Sequence, residues 1–237
     1  MSIPASLYRR HRFPGEIISH CVWLYSRFCL SYRDVEVMMA QRGIGLSYET
    51  IREWCDKFGP YFAEELKRQN RTKLGSKWHL DEVFLKINGV QVYLWRAVDQ
   101  NGAVIDILVQ QRRDRIAAER FFRQLLQRTG CEPRVLVTDK LRSYAAAKRT
   151  VMPEVPHRQH RYLNNRAENS HQPTRQRERR MKKFKSPDHA QRFLSVFDHI
   201  ATHFRTMRHR ISAERHRALS RQAMRVWNEI AHVRTAF

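Results

Sequence analysis

Apolar residues in the first sixty positions recur at helical spacing, whereas between residues 77 and 109 they run in the short blocks of strands. Ile17, Ile18, Cys21, Val22, Leu24, Tyr25 and Phe28 predict a helix from Glu16 to about Leu30. Ser31, with Asp34 three residues on, is an N-cap for a second short helix lined by Val35, Met38 and Met39. Gly43-Ile44-Gly45-Leu46 makes a turn, and Ser47 caps a third helix whose Ile51, Trp54, Cys55 and Phe58 face inward. Three helices with a glycine-containing turn before the last form a helix-turn-helix pattern. A plain helical hairpin that only packs is the alternative. Residues 1–15, polar, basic and broken by proline, are expected as a loose arm, and Lys67–Ser76 as a linker.

Lys77 to Asp99 organises the rest of the chain. Asn88-Gly89 suits a two-residue hairpin turn that needs φ > 0 twice. On the first strand Val83, Leu85 and Ile87 share one face and Trp78, Leu80 and Phe84 the other, which predicts a central strand covered on both sides. Asp81 falls among Val83 and Leu85. An ionised carboxylate there is costly unless it is paired or holds a metal.

Gln100-Asn101-Gly102 is a second turn, and Val104–Val109 completes an antiparallel meander. Asp114 caps a helix carrying Ala118, Phe121, Phe122, Leu125 and Leu126, which ends at Gly130. A compact strand follows at Arg134–Thr138, with Asp139 at its carboxyl end. This order predicts an α/β fold, a ribonuclease-H-like mixed sheet whose fourth strand lies parallel to the first, behind an N-terminal all-α module. Ligands of such sheets gather beyond the carboxyl ends of the parallel strands, which is where Asp139 falls, with Asp81 on the neighbouring strand. A short helix over Leu141–Met152 leads into a proline-marked connection holding His157 and His160. Phe193, Phe197, Ile200 and Phe204 predict an amphipathic helix over the sheet, and Leu219, Ala223, Trp227 and Ile230 a last helix. The expected divisions are a helix-turn-helix module at 1–66, a linker at 67–76, a catalytic domain at 77–210 and a helical tail at 211–237.

Charge sharpens the functional class. Of the net +22, residues 140–237 carry 23 basic and 7 acidic groups, and Arg175–Lys185 alone has seven basic residues and one acid, Glu178. So clustered an excess points to a polyanion, nucleic acid rather than membrane, although a merely soluble basic surface is the bland alternative. No apolar run approaches the ~18 residues of a membrane span, and MSIPASLYRRHRF lacks the apolar core of a signal peptide. The four cysteines form no CxxC pair, as reduced thiols in a cytoplasmic, nucleoid-associated protein would be.

Asp81, Asp139 and Glu168, from two strands and a following helix, are the candidate catalytic and metal-binding acids. Phosphodiester chemistry by two metals needs carboxylates that hold divalent ions ~4 Å apart, and Mg²⁺ takes only a few of them. Each acid has another possible use. Asp81 could pair with a buried Arg or Lys, Asp139 could cap the next helix, and Glu168 stands at the capping-box position after Asn165. Glu82, Asp99 and Asp106 compete, from positions expected to be less able to meet Asp139.

The stretches WHLDEVFLKINGVQVYLWRAVDQ, VTDKLRSY and HRQHRYLNNRAENSHQPTRQRERRMKKFKS resemble the three catalytic blocks of bacterial Asp-Asp-Glu transposases of the insertion-sequence-six family. The resemblance covers nearly the whole chain. It implies Asp81, Asp139 and Glu168 as the metal triad, two Mg²⁺ ions with Mn²⁺ able to substitute, and Arg175, seven residues after the glutamate, as a contact to the DNA end. It further implies terminal inverted repeats and target DNA as partners, a homodimer or larger assembly on DNA, and replicative transposition. The 28 residues between Asp139 and Glu168 are several fewer than many members have. The DNA-binding candidates are Thr50, Arg52 and Lys57 on the third helix, with Arg175, Arg179, Lys182 and Lys183 in the basic stretch. His199 and His203 at i, i+4 lack a third zinc ligand and read better as core histidines. No GxxxxGK[ST] loop and no GxSxG motif is present. A helix-turn-helix regulator, which would leave the acids idle, and a ribonuclease-H-like nuclease without strand transfer are the rival functions.

Overall fold

The computed structural model describes residues 7–159, 167, 170–181, 183–205 and 211–233, with the backbone alone at residue 72. The chain divides into two compact units, Met1–Arg68 with His199–Phe237, and Gln69–Asp198. The tail expected as a separate segment therefore falls in the first unit.

That unit begins with α1 (Gly15–Arg27), α2 (Tyr32–Ala40) and α3 (Tyr48–Asn70). Ser31 and Asp34 form the reciprocal cap of α2: Ser31 Oγ accepts the Asp34 N–H at 3.1 Å, and Asp34 Oδ2 accepts the Ser31 N–H at 2.7 Å. α3 runs through Pro60, because Phe62, Ala63 and Leu66 prolong its buried stripe. Burial of that stripe overrides the helix-breaking tendency of proline. The expected linker is correspondingly shorter, since its first residues end α3 and Arg71–Lys73 form a 3-10 turn. From residue 7 onward the expected loose arm is pinned instead. Tyr8 donates its hydroxyl to the Ala231 carbonyl at 2.7 Å, and Phe13 meets Trp54 edge-on at 5.6 Å.

The second unit holds β1 (Lys77–Ile87), β2 (Val90–Asp99), β3 (Val104–Gln110), α4 (Arg115–Thr129), β4 (Val135–Thr138), α5 (Arg142–Val151), β5 (His157–Gln159) and α6 (Gln172–Arg180). α7 (Pro187–His203) leaves it, and α8 (Ala213–Ile230) returns to the first unit, where Trp227 meets Phe62 edge-on at 5.0 Å. Asn88 and Gly89, with φ 49° and 83°, make the hairpin turn. The sheet order is β3-β2-β1-β4-β5, with β1 antiparallel to β2 and parallel to β4. This is the ribonuclease-H-like arrangement. β5 was not expected; its three residues are too few and too polar to show a strand pattern, and its place comes from parallel pairing with β4.

Trp78, Leu80, Trp95, Ala97 and Leu136 form one core with Phe121, Phe122 and Leu125 of α4 and Tyr144 and Ala147 of α5. The opposite face takes α6 and α7, where Gln191 Oε1 accepts the Val109 N–H at 2.7 Å. Phe84 departs from the expected covered strand. It is 57 % exposed, with the Arg175 guanidinium 5.3 Å from its ring centre. Among the described residues no helix is long and apolar enough to cross a membrane. None of the four cysteines is in a disulfide.

Candidate active site

The parallel register pairs Trp78 with Leu136 and His79 with Val137. Continued two residues, it sets Asp81 beside Asp139, just past the end of β4. The two aspartates meet because β4 is short: it ends at Thr138, so Asp139 turns over the edge of β1. Asp139 Oδ1 also accepts the Leu141 N–H at 2.9 Å, so the same side chain secures the start of α5. This bond is not the helix cap weighed for this acid, since Leu141 is the N-cap of α5 and no side chain caps that helix.

Glu82 joins them, which corrects the expectation that its position is less able to meet Asp139. One ligand oxygen from each of Asp81, Glu82 and Asp139 lies within 4.8 Å of the others. Successive residues of a strand face opposite ways, and here Asp81 stands opposite Arg96 while Glu82 stands opposite Trp95, in the core of the α4 and α5 side. Beyond His79 no ladder pair joins β1 to β4 among the described residues. Side chains from both faces of β1 can therefore reach round the edge that β4 leaves there.

Burial, helped by the neighbouring Asp139, pushes the Asp81 and Glu82 carboxyls up to about 7. Arg113, in the turn before α4, works against that shift: its Nε donates to Glu82 Oε1 at 2.5 Å and its Nη2 lies 3.9 Å from Asp139 Oδ2. The buried Tyr144 of α5 faces Glu82, and that negative charge holds the phenol well above its ordinary range, after burial itself. Crowded, half-desolvated carboxylates with oxygen donors only are what a hard divalent cation fits, since it offsets both their desolvation and their mutual repulsion.

On the other face His171 Nε2 lies 3.2 Å from Asp81 Oδ2. Burial, then Arg96 and Arg175, hold this imidazole well below its usual pKa. His171 is the N-cap of α6, and its carbonyl accepts the Arg175 N–H at 3.0 Å. Asp81, Val83, His171, Gln172, Arg175, Gln176 and Arg179 line an open cleft of about 510 Å³. Arg96 fixes α6 from below. It donates to the Ser170 carbonyl, to Thr174 Oγ1 at 2.6 Å and to Asp198 Oδ2 at 2.5 Å.

The other candidates have definite places. Asp99 is buried and accepts N–H bonds from Gly75, Asn101 and Ala103, and Asp106 pairs with Arg128 at 2.8 Å. Both are structural. Glu178 pairs with Arg175 at 3.5 Å. Glu168 and Lys182 lie outside the described residues. Arg52, Arg179 and Lys183 are exposed; Lys57 Nζ lies 3.2 Å from His11 Nε2, and the Thr50 hydroxyl 3.1 Å from Ser47 Oγ. Of the core histidines, His199 is buried and His203 Nε2 sits 2.9 Å from the Ala223 carbonyl.

A ribonuclease-H-like sheet that gathers carboxylates beyond the ends of two adjacent parallel strands defines a phosphoryl-transfer enzyme. Comparison with known proteins makes the class narrower. The DDE domain of the IS240 transposase type matches residues 75–207. A transposase for the insertion sequence-like element IS431mec of Staphylococcus aureus is 31% identical over 169 residues, 69% of this chain and 75% of that protein. A transposase for insertion sequence element IS257 in transposon Tn4003, also from Staphylococcus aureus, matches to the same extent. An uncharacterized protein, pYV0051, of Yersinia pseudotuberculosis is 34% identical over 91 residues, 38% of this chain and 85% of its own length. The chain belongs to the DDE transposases of the IS240 and IS6 type, enzymes of DNA transposition.

Proposed function

We propose that this transposase binds the terminal inverted repeats of its own insertion sequence, cleaves the DNA there, and joins the freed end to target DNA. The observation that carries the reading is the meeting of Asp81 and Asp139 with oxygens within 4.8 Å of each other. Asp81, Asp139 and Glu168 would hold two Mg²⁺ ions, for which Mn²⁺ can substitute. Such ions, when bound, acidify a water and neutralise charge that builds on the phosphate.

In the first step water attacks the phosphodiester at the element's end, and the bond to the 3′ oxygen breaks to leave a 3′-hydroxyl. In the second, that hydroxyl attacks a target phosphodiester and displaces its own leaving oxygen. One phosphodiester replaces another, so no nucleotide cofactor is consumed. The chain's side chains position these reactants. His171 braces the Asp81 carboxylate. Arg175 and Arg179 line the cleft beside Asp81 and receive the phosphates of the DNA end. Thr50, Arg52 and Lys57 of α3 supply recognition of the repeat, with Lys182 and Lys183 extending the backbone contact. A homodimer or larger assembly brings the two ends together.

Asp81→Asn tests the proposal. The variant is expected to bind the DNA flanks of its reading frame as the wild type does, while losing Mg²⁺-dependent cleavage and joining. Retained cleavage would refute the assignment. Cut but never joined DNA from the wild type would leave a nuclease.

A further inference from the structure

The acid cluster carries a cation of its own. The Arg113 guanidinium spans Glu82 and Asp139, two of the carboxylates that a divalent ion would share. The preceding Arg112 turns out to Asp114 at 3.9 Å with 81% of its side chain exposed, so of the two adjacent arginines only Arg113 is directed inward. Exposure within the pair is lopsided: the Glu82 side chain is 1% exposed and that of Arg113 42%. The carboxylate is fixed between the core and Tyr144, whereas the guanidinium enters from solvent and can withdraw without opening the core.

We propose that Arg113 is an exchangeable counter-ion, which balances the acid cluster until a divalent cation arrives and then cedes Glu82 to that cation as an additional ligand. The inference rests on the assignment of Asp81 and Asp139 as metal-binding residues. A purely structural ion pair would present a different picture, since neither partner would be placed against the acids of the reaction. Here the guanidinium reaches Asp139 as well, and its charge lies where the incoming ion must sit. Like charges that compete for one set of oxygens cannot both be held tightly.

Mn²⁺ binding to the full chain without DNA, followed by the electron paramagnetic resonance signal of the free ion, separates the possibilities. Arg113→Gln is expected to tighten Mn²⁺ binding on the order of tenfold, and Arg113→Lys to tighten it less. Glu82→Gln is expected to weaken binding, and Arg113→Gln placed on top of it to have a much smaller effect, the non-additivity of a shared site. Circular dichroism checks that each variant is folded. Binding that needs Asp81 and Asp139 but is unchanged or weakened by Arg113→Gln overturns the exchange. Binding that neither Asp81→Asn nor Asp139→Asn reduces overturns the metal assignment itself.

Discussion

Arg96 Nη2 lies 2.5 Å from Asp198 Oδ2, with the two side chains 1% and 4% exposed. Arg96 stands on β2 directly opposite Asp81, and Asp198 belongs to α7, so the ion pair ties the sheet beneath the acids to the helical layer. Such a pair is weak as a net source of stability, but one partner alone is expensive to leave behind. Asp198→Ala is expected to cost about 3–5 kcal/mol in urea unfolding. Arg96→Met with Asp198→Leu should recover most of that loss. The double variant should still cleave poorly, because the Ser170 and Thr174 contacts that hold the start of α6 go with the guanidinium. Full cleavage by a folded double variant would show that Arg96 has no part in positioning.

The raised carboxyls give the metal-free protein a distinctive pH dependence. Glu82 binds its proton more tightly folded than unfolded, its pKa moving from 4.5 to about 7. The folded state therefore holds more protons across that window, and its stability from this source is full below pH ~4.5 and lost as pH rises through ~7. Asp81, also raised to about 7, acts in the same direction. The difference in melting temperature between wild type and Glu82→Gln should change between pH 5 and 8, the wild type losing ground as pH rises. A constant difference would show that Glu82 is not perturbed. Added divalent cation should reverse the trend, since it binds the ionised form.

Phosphate contacts carry their own signature, the release of counterions. Arg52→Ala, Lys57→Ala and Arg175→Ala should each weaken binding to the element's ends and lower the slope of log affinity against log salt by about one. Titrations at several salt concentrations measure this directly. A substitution that leaves the slope intact removes that residue from the interface.

Gly130 ends α4 at φ 71°, and a Cβ there would stand 2.4 Å from Arg71 Nη2. Arg71 donates from Nε to the Thr129 carbonyl at 3.0 Å, closing the same turn. Because the nearby atom is the tip of a flexible side chain, backbone strain should dominate the cost. Gly130→Ala is expected to lose about 1–2 kcal/mol by thermal unfolding, with little relief when Arg71 is also replaced by alanine. Full relief would assign the cost to the contact instead.

Much of this architecture was legible in the residue pattern because local rules and burial agree. Asn88-Gly89, the Ser31–Asp34 cap and Asp114 before α4 each act over a few residues, and each formed as read. Asp81 was legible as an anomaly, a carboxylate on an apolar face. Glu82 was not, because strict alternation sends it to the opposite side of β1, and only the brevity of β4 brings it round to Asp139. The Asp-Glu doublet beside a four-residue strand was the available signal. Arg113, His171 and Arg96 carry no local mark at all. Their roles arise from contacts across 31, 90 and 102 residues, as Glu82–Arg113, Asp81–His171 and Arg96–Asp198. In α3 burial outweighs a local signal: Pro60 is a strong local stop, yet the helix runs through it with Phe62 and Leu66 buried.

The four-residue length of β4 has one more consequence. Two or three added residues in register would zip hydrogen bonds along the outer side of β1, wall Glu82 off from Asp139, and leave no gap for a sugar–phosphate strand to approach. An insertion there would yield a sturdier domain that no longer admits its substrate. Under the proposed function the catalytic mouth is the stretch of β1 that β4 leaves unpaired among the described residues, and its width is measured in peptide units.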